Sequence, residues 1–482
     1  MVEKYTSLVC RVTTVVAAVL LSLPAWAQSP ALDPTFPPVQ VTATNPVSGN
    51  VLPGTINDIV RQPDGKYIVG GNFTAINGVL ASRLARLEAN GTVDAAFTAA
   101  CQANGPVNSL VVQPDGRVLV GGNFTTLAGS ARVYLGRLLP SGELDPTFAP
   151  SSSESTSTFG VSCIQLQPNG QVLVVGMFNL RGTGFSEQQI VRLTGSNGHY
   201  DPSFQYTPPT ADTSPHTILL QPDGKLLVAA NGPSYRRAFM LVRLQPDGTV
   251  DNTFSALEST FTSELNSLAL DAAGRIYTGG MFQNGLGNTF LRRYLPDGTV
   301  DFAFAYPRTI STVPYLGPIK SLAVQPNGRV LVAQAKVERV QPNGSFDTGF
   351  TPGIGGNIRR FLVQPNGAIL IAGSALSGAG ATSLIGLVRL LDANVLAVGP
   401  SVADARTTAW PVPAHETLNL RLDAESRPQR VQLLDALGRA VLTLEQPTAS
   451  LMLPVAGLAA GTYHVQVEYA NATRVIRRVV LY

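Results

Sequence analysis

The tetrapeptide Gln-Pro-Asp-Gly, or a close variant, returns seven times along the chain, each copy set between two short apolar runs. It stands at Gln62-Pro63-Asp64-Gly65, Gln113-Pro114-Asp115-Gly116, Gln167-Pro168-Asn169-Gly170 and Gln221-Pro222-Asp223-Gly224. It decays to Asp271-Ala272-Ala273-Gly274, then returns at Gln325-Pro326-Asn327-Gly328 and Gln364-Pro365-Asn366-Gly367. Successive copies start about 50 residues apart, apart from one step of 39 between Gln325 and Gln364. A fixed period of that size with several strands per unit specifies a propeller or an array.

The second unit shows the plan. Residues 107–113 read as a first strand, 117–124 as a second, 133–139 as a third and 143–148 as a fourth, with turns at Pro114-Asp115-Gly116 and Pro140-Ser141-Gly142. Proline presets φ at the first turn position, and glycine takes the positive-φ position that closes the hairpin. The first two strands are almost wholly apolar instead of alternating, as expected where both faces of a sheet are buried. Paired glycines in the second strand (Gly70-Gly71, Gly121-Gly122, Gly279-Gly280) mark a bulge or a close backbone approach.

The fourth strand recurs as Asp94…Phe97, Asp145…Phe148, Asp201…Phe204, Asp251…Phe254, Asp301…Phe304 and Asp347…Phe350, six copies for seven first hairpins. The missing piece stands near the other end, at Leu32-Asp33-Pro34-Thr35-Phe36. Borrowing a strand from the opposite terminus removes the exposed sheet edges of an open ring. The expected architecture is therefore all-β: a seven-bladed β-propeller over 28–397, its last blade closed by residues 32–36.

These motifs resemble the delta-60 repeat family of bacterial propellers, whose units carry the same Q-P-D-G…G-G-x-F…R-L…D-x-x-F pattern. The resemblance covers roughly residues 30–395 and implies a propeller fold but no particular activity.

Both ends point to export. Residues 1–27 read as a signal peptide: Lys4 and Arg11 flank the start, an apolar stretch runs from Val12 to Leu23, and Ala25-Trp26-Ala27 offers a cleavage site. That stretch is shorter than the ~20 residues a spanning helix needs, so the mature chain is expected without a transmembrane segment. After a linker at 398–407, residues 408–482 alternate as half-exposed strands do, for example at Leu418-Asn419-Leu420-Arg421-Leu422. This segment resembles the type A sorting domain of the Bacteroidota type IX secretion system, expected as a small Ig-like sandwich. The matching pieces carry Pro411 and Pro413, then Asp435, Gly438 and Arg439, then Gly461 and Tyr463. Trp410 and Val412 stand where the family commonly has Tyr and Asn. The resemblance implies the type IX machinery as a partner, passage through the periplasm, and a secreted or cell-surface product.

No phosphate loop, zinc-protease helix, EF-hand loop or nucleophile elbow occurs in the sequence. The four histidines lack metal-ligand spacing, so neither metal nor cofactor is expected, and a net charge of +3 gives no reason to expect nucleic acid. Cys101 and Cys163 are compatible with a disulfide but do not form a framework.

One charge is periodic. Arg86, Arg137, Arg192, Arg243, Arg293, Arg339 and Arg389 occupy equivalent third-strand positions, and an Asp follows eight residues later, or nine after Arg192, in all but the last. A ring of cations for an anionic ligand is one reading. Cross-strand pairing with the Asp is the commoner use of such an offset. It predicts that Arg389 pairs with Asp33 across the closure.

Strand order places all tight turns on one face of a propeller and the long loops on the other. Loops on a rigid scaffold are where binding residues concentrate. Candidate ligand contacts on that face are Tyr206, Tyr235, Arg236, Arg237, Tyr306, Arg308 and Tyr315, residue types enriched at interfaces. The expected function is a binding scaffold for a glycan or protein partner. The competing class is an extracellular carbohydrate-active lyase or hydrolase, which needs paired acids. Only Glu154, Glu187, Asp212 and Glu258 are visible candidates among those loops. A passive structural or adhesive module is a third reading.

Overall fold

The protein is described from a computed structural model, over residues 30–150, 160–178, 187–206, 214–231, 239–255, 264–282, 289–308, 317–378, 384–392, 407–410, 414–423, 427–435, 439–470 and 474–481. The signal segment 1–27 and positions 398–406 of the linker lie outside them. Among the described residues no helix is long and apolar enough to cross a membrane.

Each repeat folds into an antiparallel sheet whose second strand is central. The first strands are Thr55–Arg61, Val107–Val112, Val161–Leu166, Ser214–Leu220, Glu264–Leu270, Ser321–Val324 and Gly355–Val363. Each packs on the next, and Gly355–Val363 packs on Thr55–Arg61, so the series of sheets returns on itself as a β-propeller.

Among the described residues, apolar clusters shared between successive units hold the ring together. In the second strand of unit two, Val118 and Val120 enter the cluster shared with unit one, while Leu119 enters the cluster shared with unit three. In the next unit Val172 and Val174 face back and Leu173 and Val175 face forward. A strand's side chains alternate between faces, so a strand buried on both sides must be apolar at every position. That is why these runs lack amphipathic alternation.

The paired glycines serve both purposes foreseen for them. The first hairpin slips register between Ile56 and Asp58 opposite Gly71 and Gly70. A Cβ on Gly71 would stand 2.0 Å from the Thr55 carbonyl oxygen, and one on Gly70 would stand 2.5 Å from a Val107 methyl in the next unit.

The expected fourth strand is much reduced. It makes a single bridge, such as Leu138 with Leu144, and then turns. The Asp that follows explains the turn: the Asp145 carboxylate accepts the Thr147 amide at 2.9 Å and the Thr147 hydroxyl. Such a local bond competes with the sheet ladder. The chain rolls off the edge and Phe148 drops into the core, fully buried. In unit one the same Asp instead caps a short helix, Ala95–Ala100, accepting the Phe97 amide at 3.2 Å.

The N-terminal segment closes the ring. Ala31 and Leu32 pair with Leu391 and Leu390. Val39–Thr44, unforeseen from the repeat, continues along the same partner strand and also pairs with Ala75–Ile76 of unit one. Val39 and Val41 are fully buried there.

Residues from 408 onward form two further sheets. Thr417–Arg421 lies between Thr408–Trp410 and Ser450–Pro454, while Pro428–Leu434 and Gly461–Tyr469 sit at the centre of a four-stranded partner. Leu418, Leu420, Val431, Val465 and Val467 belong to one shared core, which gives this part its alternating pattern.

Candidate functional site

The seven arginines make no ligand ring. Each is bound to its fourth-segment aspartate, with N–O distances of 2.7–2.8 Å, and Arg389 pairs with Asp33 as expected. Each guanidinium also lies 4.0–5.1 Å from the ring centroid of the phenylalanine that follows. A third contact was not legible in the repeat spacing. Arg86, Arg192 and Arg389 donate to the carbonyls of Pro140, Pro246 and Ala89 in the neighbouring unit at 2.8–2.9 Å. Arg137, Arg243 and Arg293 make equivalent bonds to Gly195, Pro246's counterpart Pro296, and Pro342. Arg339 reaches the buried Asp392 instead. These residues are seam clasps on the tight-turn side, away from the long loops.

Five of the paired carboxylates titrate accordingly. Burial raises the pKa of Asp94, but Arg86, the Phe97 amide and Lys66 outweigh it and hold the group down to about 2. Asp33, Asp145, Asp201 and Asp251 are lowered for the same reasons, the neighbouring Thr or Ser hydroxyl and amide adding to the arginine.

Of the loop-face candidates, Tyr235, Arg236, Arg237 and Tyr315 lie outside the described residues. So do Glu154, Asp212 and Glu258. Tyr206 departs from the expectation of an exposed contact. It is 8% exposed and packs in the core between units three and four, where burial pushes its phenol pKa up. An aromatic at a strand-to-loop boundary packs inward whenever the seam offers apolar area.

Tyr306 and Arg308 come together. The Arg308 guanidinium grips Glu338 through both carboxylate oxygens, one contact at 2.8 Å, and lies 4.6 Å from the Phe346 centroid. Tyr306 meets the same ring edge-on at 5.5 Å, and burial pushes its phenol up to about 12. Lys336, largely exposed, stands 3.3 Å from Glu338. Sequence spacing could not reveal Glu338, because its partner is 30 residues away in another unit.

Beside this group opens a cavity of about 630 Å³ lined by Lys336, Glu338, Phe346, Thr351, Ile354 and Ser377, among others. It lies between units six and seven, running from the Arg339–Asp347 clasp to the loop residues 351–355. Its wall combines the Glu338 carboxylate, which Arg308 holds from outside the lining, with the Phe346 ring. Such a wall can meet hydroxyls by hydrogen bonding and a flat apolar surface by stacking.

In the C-terminal part, Pro411, Pro413 and Gly438 fall outside the described residues. Asp435, just after the strand Pro428–Leu434, accepts the Arg439 amide at 2.9 Å and pairs with its guanidinium at 2.8 Å. Gly461 opens the strand in which Tyr463 is buried, its hydroxyl donating to the Ala459 carbonyl at 3.0 Å. The motif residues that are described therefore stand at strand ends and strand starts.

No curated protein matches the chain. Among solved structures, one similar chain is PorZ, an essential bacterial surface component of the type-IX secretion system of Porphyromonas gingivalis. It shows 12% identity and a TM-score of 0.43, over 89% of this chain and 59% of PorZ. Another is the extracellular domain of a one-component system from B. thetaiotaomicron, with 12% identity and a TM-score of 0.38 over 90% of this chain and 70% of that one. A protein from Dyadobacter fermentans matches with 15% identity and a TM-score of 0.37, over 64% and 95%. Two family profiles match: a beta-propeller domain of unknown function, DUF5122, over residues 62–97, 113–148, 221–254 and 274–304, and a secretion system C-terminal sorting domain over 408–482. The chain thus carries DUF5122 beta-propeller repeats and a type IX secretion sorting domain, which directs it through the periplasm to the outer surface or the medium.

Proposed function

We propose that this exported protein is a seven-bladed binding scaffold that engages a glycan or protein partner through its long-loop face. The cavity between units six and seven is the docking point in this reading. The observation that carries it is Glu338 at the cavity wall beside Phe346, held in place by Arg308 behind it. The seam-clasping arginines repeat from unit to unit, whereas the loop face is the one whose chemistry varies; one clasp, Arg339–Asp347, borders the cavity.

The test is a glycan array and a surface-protein pull-down on the mature protein, run beside polysaccharide turnover assays. A bound ligand released by Glu338→Gln or Lys336→Ala, with unchanged melting temperature and no turnover, is the expected result. Turnover of a polysaccharide would replace the scaffold reading with that of an extracellular carbohydrate-active enzyme.

A further inference from the structure

The first strands end in an aliphatic ring. The residue before the turn glutamine, or its equivalent, is Val112, Leu166, Leu220, Leu270, Val324 or Val363 in units two to seven, and Arg61 in unit one. All six aliphatic side chains are only half-buried. The opposite ends of these strands are polar. There Asn57, Asn108 and Asn266 donate to the carbonyls of Val107, Val161 and Ile319 in the next unit, at 2.9, 2.9 and 3.1 Å. Apolar surface gathered at one end of a ring, and left partly open, marks a place where something apolar docks.

A cavity of about 410 Å³ opens at that end where units seven, one, two and three meet. Val112, Leu166, Leu362 and Val363 form its apolar wall. The turn residues Pro63, Pro114 and Pro365 border it, which places it on the tight-turn face. Arg61 is its one charged lining residue. Unlike the seven clasping arginines, Arg61 is exposed and, among the described residues, makes no ion pair.

The backbone around the cavity is already engaged. The amides of Gln62, Gln113 and Gln364 donate to the carbonyls of Lys66, Arg117 and Ala368 at 2.8 Å. The amides of Gly65, Gly116 and Gly367 donate to the carbonyls of the same three glutamines at 2.9–3.0 Å. A peptide entering here would bury amides that find few partners, which is unfavourable, whereas a hydrocarbon chain has none to satisfy.

We propose that this cavity binds an alkanoate, with the carboxylate on Arg61 and the hydrocarbon chain against Val112, Leu166, Leu362 and Val363. The guanidinium fork can donate two parallel hydrogen bonds to the two carboxylate oxygens. One cation matches a monoanion. A phosphate monoester carries a charge of about −1.5 to −2 near neutral pH and would be left partly uncompensated. The site is separate from the cavity beside Glu338 and stands or falls independently of it.

Calorimetric titration of the mature protein with octanoate, butyrate, octanol and octyl phosphate, all below micelle-forming concentrations, tests the assignment. Octanoate should bind, and more tightly than butyrate, since each methylene removed from water favours binding by roughly fourfold. Arg61→Gln should weaken octanoate tenfold or more and leave octanol unchanged. Leu166→Gln should weaken both. Arg117→Gln removes another cation from the same face and should leave octanoate binding as it was, with melting temperatures showing that each variant is folded. The proposal is overturned if the folded wild-type protein does not bind octanoate, if butyrate binds as well as octanoate, or if Arg61→Gln keeps wild-type affinity. Tighter binding of octyl phosphate, or of an acetylated leucine tripeptide, overturns it in favour of a phosphate ester or a peptide terminus.

Discussion

Arg389 and Asp33 lie 356 residues apart in sequence and 2.7 Å apart in the structure. The same guanidinium sits 4.5 Å from the centroid of Phe36 and donates to the Ala89 carbonyl. One side chain thus ties the last unit to the N-terminal segment and to the first unit.

Breaking that tie should destabilise the propeller. Both side chains are mostly buried, and removing one partner of such a pair costs about 3–5 kcal/mol. Arg389→Ala should therefore lower the denaturation midpoint, and deleting residues 28–36 should lower it further. The deletion also removes Phe36, whose buried ring contributes about 3–5 kcal/mol. An unchanged midpoint for both, measured by chemical denaturation, would show that the ring closes without this segment.

Acid should unfold the ring by releasing its clasps. The folded-state pKa values of Asp33, Asp94, Asp145, Asp201 and Asp251 are depressed, so their stabilisation is fully present above the unfolded value of about 3.9. It is lost as pH falls through the folded values, near 2 for Asp94. Asp58 acts oppositely, since burial raises its pKa and protonation relieves a cost. Stability measured from pH 5 downward should fall most steeply below pH 4, and Asp94→Asn should flatten part of that slope.

Gly71→Ala should be far more damaging than Gly78→Ala. A methyl at Gly71 meets the Thr55 carbonyl at 2.0 Å, whereas one at Gly78 meets nothing within 4 Å and adds only backbone strain at φ +78°. Overpacking of this kind costs about 1–3 kcal/mol or more. Thermal melts of the two variants decide it, and equal losses would mean that the bulge tolerates a side chain.

Removing residues 408–482 should leave a folded propeller trapped in the periplasm. That segment carries its own core and matches the sorting domain as a whole. Cell fractionation of the truncated protein reads the result directly. Its normal appearance outside the cell would move the export signal into the repeats.

The repeat spacing by itself determined the unit, the closing role of Asp33 and the arginine–aspartate pairs, because each depends on short-range turn chemistry and strand periodicity. It also carried the reason for apolar runs without alternation. Three matters were decided only in three dimensions. The fourth strand shrinks to a bridge because the aspartate side chain outcompetes the ladder for nearby amides. Tyr206 turns inward because a neighbouring unit supplies apolar surface that its own unit does not. Glu338 beside Arg308, and the meeting of Arg360 with Asp58, arise where residues of different units converge. Local sequence encodes the unit; the contacts between units depend on how the ring brings distant positions together, and it is at those seams that the candidate sites lie.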